Sequence, residues 1–201
     1  MSVSRETPGH EYFADLSAIN RFVDILATRG IERGLLGPRE APRLWERHVL
    51  NSAVVLPGVP RDARVADVGS GAGLPGLVWA IARPDLKVTL IEPLLRRSIF
   101  LDEVVEELGL QNVTIARARA QDVHQRFDVV TARAVARLDR LGELCLPLVK
   151  PGGVLLAMKG QSAEQEVAMW TEALRRAGAT DIVVTAYGED TSPTTVVEVH
   201  R

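Results

Sequence analysis

The residues best able to do chemistry lie between Arg64 and Glu92. Residues 64–76 read Arg-Val-Ala-Asp-Val-Gly-Ser-Gly-Ala-Gly-Leu-Pro-Gly, which sets an acid, Asp67, inside an apolar run and follows it with Gly69, Gly71, Gly73 and Gly76. The small or β-branched Val65, Ala66 and Val68 predict a short buried strand, and Leu77 to Arg83 a helix. Strand, glycine loop and helix is the order in which α/β proteins hold nucleotide-like ligands. The glycines allow a tight turn and close approach of the backbone, and the helix start offers free N–H groups. A second apolar run, Val88 to Ile91, ends at Glu92, where a carboxylate can accept both hydroxyls of a ribose.

Two ligands fit this pattern. Gly71, Gly73 and Gly76 satisfy the dinucleotide fingerprint G-x-G-x-x-G, with Glu92 standing about 20 residues on. Asp67, Gly69, Gly71 and Gly73 satisfy D-x-G-x-G-x-G, a common S-adenosyl-L-methionine loop. Asp67 favours the second ligand. A carboxylate in an apolar strand is costly to bury alone; a ligand ammonium or the N–H groups of the glycine loop would partner it, and a dinucleotide gives it no comparable role. A structural turn without a ligand is the remaining alternative.

Upstream lies a second polar set. A helix is predicted from about Glu40 to Leu56, closed by Pro57-Gly58. Trp45, Val49 and Leu50 on it face the core, while Arg47, His48 and Asn51 form a polar group about one turn apart. Taken alone, His48 reads as a hydrogen-bonded structural residue and Lys159 equally well as a solvated strand-end lysine.

The elements that must position these groups follow from periodicity. Residues 1–12 are polar and expected to fray. Leu16, Ile19, Val23 and Leu26 predict a helix over about 13–28, and Gly30 to Pro38 a loop. From Arg64 onward come strands at about 64–69, 87–92, 112–116, 127–132 and 154–159, with helices at about 76–83, 94–108 and 138–148 between them. Leu94, Leu101, Val104, Val105 and Leu108 form one buried stripe, and Leu138, Leu141, Cys145 and Leu148 another, which makes Cys145 a core residue. Pro151-Gly152-Gly153 is a turn into the fifth strand. Ser162 and Gln165 have capping-box spacing for a helix to about Ala177, and strands at about 182–186 and 195–199 close the chain. Alternating strands and helices predict a mostly parallel sheet covered on both faces. The closing strand pair predicts an antiparallel edge hairpin, an ending of class I methyltransferases that dinucleotide dehydrogenases lack.

Composition narrows the setting. The 201 residues fit one domain, 1–201, with residues 1–60 as a helical extension and 61–201 as the cofactor-binding core. A net charge of −2 excludes a bulk polycation. No apolar run reaches the roughly 18 residues of a membrane span, and the first residues show no signal-peptide core. The single cysteine excludes an internal disulfide and fits a reduced, cytoplasmic setting. Basic residues are mostly arginine, which suits bidentate phosphate and base contacts.

Several linked motifs now stand in order: Leu44 to Ser52 (Leu-Trp-Glu-Arg-His-Val-Leu-Asn-Ser), the loop Asp67 to Gly76 with its Leu-Pro-Gly tail, Arg119 to Asp122, Thr131 to Ala136 and Ala157 to Gly160. Together they resemble the bacterial small-subunit rRNA guanine-N7 methyltransferase family, RsmG or GidB, over nearly the whole chain from about Phe13. The resemblance implies a class I S-adenosylmethionine methyltransferase fold, Rossmann-like, with a mostly parallel seven-stranded sheet. It implies methyl transfer to N7 of guanine 527 of 16S rRNA, with the free rRNA or a small ribosomal subunit precursor as partner, no membrane, and a monomer. It implies that Gly69 and Leu74 contact the cofactor, Glu92 the ribose, that Ala120 and Gln121 flank the adenine, and that Arg133 lies at the cofactor and active-site side of the fourth strand. The chain departs from the family at Gln121 (often Glu), Asn51 (often Asp) and Ala132 (often Ser), which weakens a charge-based adenine contact and any role for Asn51 as a base.

Guanine N7 holds a lone pair and no proton, so the expected chemistry needs alignment and desolvation rather than a general base, a catalytic triad or a metal. Arg133, His48 and Lys159 are the candidates to orient the base or its phosphates. With aromatics at 4% a broad stacking platform is not expected; arginines, among them Arg47, Arg96, Arg97 and Arg137, with His48, are the candidate RNA contacts. A methyltransferase of the same fold acting on a small molecule or protein, and a dinucleotide oxidoreductase or non-catalytic binding module, remain the competing functions.

Overall fold

The strand and helix alternation is realised as a seven-stranded sheet in the order β3-β2-β1-β4-β5-β7-β6. The computed structural model describes Ser4 and residues 6–133, 135–188 and 193–201. Residues 1–3 and 5 of the stretch expected to fray, and Ala134 of the Thr131 to Ala136 motif, lie outside the described residues. The strands are β1 (Arg64–Val68), β2 (Lys87–Ile91), β3 (Val113–Ala116), β4 (Phe127–Arg133), β5 (Val149–Lys159), β6 (Asp181–Tyr187) and β7 (Thr194–His200). β1 to β5 pair in parallel, and β7 runs antiparallel between β5 and β6. Five right-twisting parallel strands need crossovers. Three are made by α3 (Gly76–Ala82), α4 (Leu95–Leu108) and α5 (Leu138–Cys145), and the connection from β3 to β4 by a loop with the 3-10 turn Ala120–Asp122; α6 (Ala163–Arg176) leads into the hairpin.

The sheet separates two cores. Val65 on β1 packs with Leu77, Trp79, Phe100, Leu101 and the N-terminal segment. Its neighbours Ala66 and Val68 pack with Leu138, Leu141, Cys145 and Leu174 on the other side. That split is the period-two alternation of a strand covered on both faces. Cys145 is fully buried, and burial pushes its thiol up to about 12, the behaviour of a small core hydrophobe.

The N-terminal segment shares the first core rather than standing apart. α1 (Leu16–Ile25) is capped by Asp15, whose Oδ1 accepts from the Ser17 N–H at 2.8 Å, and runs on as a π-helical turn, Leu26–Gly30. The single helix expected from Glu40 is broken instead. Pro38–Arg43 is a 3-10 helix, Trp45–Leu50 is π-helical, and only α2 (Asn51–Ala53) is α-helical. Pro42 supplies no N–H and cannot sit inside a regular helix, which forces the change. Two indoles pin the segment: Trp45 Nε1 donates to the Pro8 carbonyl at 2.9 Å, and Trp79 Nε1 of α3 to the Ser52 carbonyl at 2.8 Å.

Three other expectations are corrected. β5 starts at Val149, so Pro151-Gly152-Gly153 lies inside it, accommodated by a register shift against β4 and by pairing of Gly152 and Gly153 with Arg201. Ser162 makes no side-chain cap; its hydroxyl donates to Glu166 at 3.1 Å, because that carboxylate is already drawn inward by Lys159 and the Leu138 N–H. Leu94 is 52% exposed and flanks α4 instead of joining its buried stripe.

Trp79→Phe removes the shorter of two bonds to the Ser52 carbonyl, leaving it the Val55 N–H at 3.4 Å, and trims the largest fully buried side chain. It is expected to lose about 1–3 kcal/mol, a lost hydrogen bond plus the cavity left by the smaller ring, read by urea unfolding.

Candidate active site

In an open parallel sheet the crevice that receives ligands lies beyond the strand ends where the strand order switches, the crossovers on either side leading away in opposite directions. Here that place is the C-terminal ends of β1 and β4. β1 carries Asp67 one residue before its end, and β4 ends on Arg133.

Asp67 is fully buried. Its Oδ2 accepts from the Gly76 N–H at 3.0 Å, and its Oδ1 has no hydrogen-bond partner among the described residues. A Cβ on Gly76 would stand 2.7 Å from that Oδ2, so only glycine lets α3 start against the carboxylate. Burial pushes Asp67 up to about 7, against the pull of the Gly76 N–H, the Ser70 hydroxyl and the Arg133 charge. Asp67 is therefore a brace beneath the loop and does not line the cavity above it.

That cavity, of about 590 Å³, is walled by Gly69 to Ala72, Leu74, Glu92, Leu94, Arg97 and Arg133, among others. Its size suits a nucleoside-like ligand. Glu92 is almost wholly buried: Oε2 accepts from the Gly71 N–H and Oε1 from the Leu94 N–H, both at 3.0 Å. One carboxylate thus ties the glycine loop to the start of α4, and each oxygen keeps lone-pair capacity toward the cavity. Gly71 has φ +57°, and a Cβ there would meet only the Gly69 carbonyl oxygen at 3.8 Å. Arg97, read from the sequence as an RNA contact, turns inward: its Nη1 lies 3.7 Å from Glu92 Oε2.

A second cavity of about 460 Å³ lies alongside. Glu40, Arg47, His48, Asn51, Lys159 and Thr194 are among its walls, and His48, Arg133 and Val135 border both cavities. Arg133 Nη2 donates to the Arg47 carbonyl at 3.1 Å and to His48 Nδ1 at 2.6 Å. His48 Nε2 faces Glu40 Oε2 at 2.7 Å. The acceptor at Nδ1 and the carboxylate at Nε2 assign His48 the neutral Nε2–H tautomer. Burial and the adjacent Arg133 charge lower its pKa, and the Glu40 contact opposes them in part.

The structure brings together Gly69, Gly71, Leu74, Glu92, Arg133, His48, Arg47 and Lys159, and separates others. Gly73 packs against Leu77 behind the loop. Ala120, expected at the adenine, is buried in the second core, and Gln121 is exposed; neither is among the cavity walls. Lys159 is committed: Nζ donates to the Ala136 carbonyl at 2.9 Å and to Glu166 at 2.8 Å. Arg96 is exposed, and Arg137 is exposed with its guanidinium 5.1 Å from the Trp170 ring and paired with Asp139. Sequence reasoning missed Glu40. A lone Glu in Gly-Pro-Arg-Glu reads as a helix-start acid; its spacing eight residues before His48 is no regular repeat, so only the fold reveals the pair.

The profile of the family described as rRNA small subunit methyltransferase G matches residues 15–194. A Nocardioides protein named ribosomal RNA small subunit methyltransferase G is 54% identical, over 98% of this chain and 83% of its own length. Its namesake from Corynebacterium glutamicum is 50% identical over 95% of this chain and 89% of its own. The chain belongs to the GidB family. Among solved structures, the S-adenosylmethionine-dependent methyltransferase SibL matches with TM-score 0.63 at 22% identity, over 81% of this chain and 57% of its own. A ribosomal protein L11 methylase from Lactobacillus delbrueckii matches with TM-score 0.58 at 14% identity, over 77% and 79%. At such identities these likenesses establish the fold, class I methyltransferase, and no more. Membership in the GidB family replaces the dinucleotide oxidoreductase reading.

In this GidB-family site, Gly71→Val forces a β-branched residue to positive φ and fills cavity space. It should abolish S-adenosylhomocysteine binding in calorimetry while the far-ultraviolet dichroism of the fold persists. For Asp67→Asn the sign comes from a folded-state pKa of about 7 against 3.8 unfolded. Wild type gains stability as pH falls from about 7 toward 4, whereas the amide does not titrate. The melting temperature of wild type relative to the variant, without cofactor, should therefore rise over that window.

Proposed function

We propose that the chain transfers the methyl group of S-adenosyl-L-methionine to N7 of a guanosine in small-subunit rRNA, guanine 527 of 16S rRNA being the nucleotide that the family resemblance implies. The observation that carries the reading is the pair of adjoining cavities that share His48, Arg133 and Val135, one floored by the glycine loop and Glu92, the other bordered by Arg47 and Asn51. A nucleoside-bearing cofactor and a purine can meet across that shared wall.

The residues present fit the cofactor. The backbone of Gly69 and Gly71 and the free lone pairs of Glu92 are a cradle and acceptors of the right chemistry. Gly69, Gly71, Leu74, Glu92 and Arg133 would hold it, with Asp67 behind the loop. When bound, it supplies an electrophilic methyl group on a sulfonium. The protein's own work is then placement, a source of about 7–11 kcal/mol in favourable intramolecular cases. Arg133 is a donor suited to guanine O6. His48, neutral and spending its Nδ1 lone pair on Arg133, orients rather than abstracts. The apolar Val135, Leu141 and Met158 on the walls help to exclude water.

The exposed Arg47, Arg96 and Arg137 support phosphate contacts. A substrate of 16S rRNA or a small ribosomal subunit precursor implies a cytoplasmic enzyme, and a monomer presents this face unobstructed. Among the described residues no helix is long and apolar enough to cross a membrane.

Mapping methylated purines in rRNA from cells with and without the gene tests the reading directly: one N7-methylguanosine of small-subunit rRNA should vanish with the gene, and an unchanged map would refute it. On the purified protein, Arg47→Ala is the clean probe, because removing His48 as well would disturb Arg133. It should leave S-adenosylhomocysteine affinity unchanged and lower the slope of RNA binding against salt by about one, the value for one phosphate contact.

A further inference from the structure

We propose that Glu40 is a positioning residue for the transfer, acting through the His48 ring to hold the Arg133 guanidinium between the two cavities; this rests on the methyltransferase reading above. Three elements meet there. Glu40 stands on the 3-10 helix Pro38–Arg43, His48 on the π-helical segment, and Arg133 at the end of β4. Glu40 Oε2 takes the Nε2 side of His48 at 2.7 Å, and its other oxygen lies 3.3 Å from Arg47 Nη1. The ring then offers Nδ1 to Arg133 Nη2 at 2.6 Å.

The number of hydrogens available decides the arrangement. Arg133 Nη2 carries two, and they go to His48 Nδ1 and the Arg47 carbonyl. Nη1 reaches the His48 carbonyl at a longer 3.5 Å, so the guanidinium plane is set by one ring lone pair and two backbone oxygens, the ring contact being the shortest of the three. The lone pair stays on Nδ1 only while the ring proton stays on Nε2, and the Glu40 carboxylate is what keeps it there. Without Glu40 the proton can move to Nδ1, where it would face the Arg133 donor. Protonating the whole ring has the same result. The charged groups facing His48 are Glu40 and Arg47 from its own stretch of chain and Arg133 from β4, with Asp67 of β1 acting on Arg133. Glu40 favours the imidazolium, and the two arginines disfavour it.

The test uses the full chain, with small ribosomal subunits from cells lacking the gene as substrate, and the variants Glu40→Leu and Glu40→Gln. Nitrogen-15 spectra of the ring and of Arg133 report the proton position; with only 4 histidines, His48 is assigned by its own substitution. Glu40→Leu should shift His48 away from the Nε2–H tautomer and lower kcat about ten- to hundredfold, the scale of a hydrogen bond to a charged group, with KM for the particle, S-adenosylhomocysteine affinity and melting temperature held. Glu40→Gln, whose amide oxygen still accepts from Nε2–H, should recover most of that kcat. Its acid limb should move to lower pH, since the carboxylate that favoured the imidazolium is gone. An unchanged tautomer or kcat in Glu40→Leu overturns the proposal, as does a parallel fall of stability, cofactor affinity and turnover in both variants. If wild type transfers no methyl group to the particle, the functional reading fails, while the nitrogen spectra still decide whether Glu40 sets the ring and Arg133.

Discussion

A carboxylate with no access to water governs the architecture of this molecule. Asp67 lies in β1, an interior strand flanked by β2 and β4, where an ionised group is costly unless donors reach it. The Gly76 N–H is such a donor, and it can approach only because residue 76 has no side chain. From that contact follow the tight loop between β1 and α3, the entry angle of α3, and the packing of Trp79 into the first core. The loop's outer surface is then free to face a ligand, with Glu92 holding the Gly71 N–H from the neighbouring strand. Two acids thus shape the loop from opposite sides, one from beneath and one at the rim.

Arg133 joins this cofactor side to the N-terminal segment. Its charge acts on Asp67, while its hydrogens go to the backbone carbonyls of Arg47 and His48 and to the His48 ring. The segment is held independently by the Trp79 bond to Ser52, by the Ser52 hydroxyl on the His48 carbonyl at 2.6 Å, and by the Thr194 hydroxyl on the Asn51 carbonyl at 3.0 Å. These bonds tie the Arg-His stretch to α3 and β7. The irregularity of this helix has a structural use. Its 3-10 and π-helical turns rotate side chains off the regular stripe, so that Glu40, Arg47 and His48 border one cavity while Trp45, Val49 and Leu50 remain in the core.

The strand–loop–helix unit, the order of the elements and the family were legible in the residues because each rests on local information. Glycine spacing encodes backbone freedom, alternation encodes a two-sided strand, and a heptad-like stripe encodes a helix face. Several element ends shifted by a residue where a cap or a turn intervened, as at Ser162 and Asn112, whose side chain closes α3 by donating to the Ala80 carbonyl, whereas β5 began well ahead of the Pro-Gly-Gly turn, at Val149, and α5 stopped at Cys145. The single helix read across residues 40–56 failed because Pro42 acts on geometry that periodicity does not register.

By itself, then, the sequence determined which residue types stand at the strand ends, Asp67, Glu92 and Arg133, and that a nucleoside-sized ligand should meet a glycine loop there. Tertiary structure alone decided their partners. It set Asp67 beneath the loop and out of the cavity, committed Lys159 to Glu166, turned Arg97 toward Glu92, kept Ala120 and Gln121 from the cavity walls, and brought Glu40 against His48. The physical reason is the same each time. A charged side chain adopts the partner that best compensates its lost hydration, and that partner is set by how the fold turns the chain between them, even where the two stand fewer than ten residues apart in sequence.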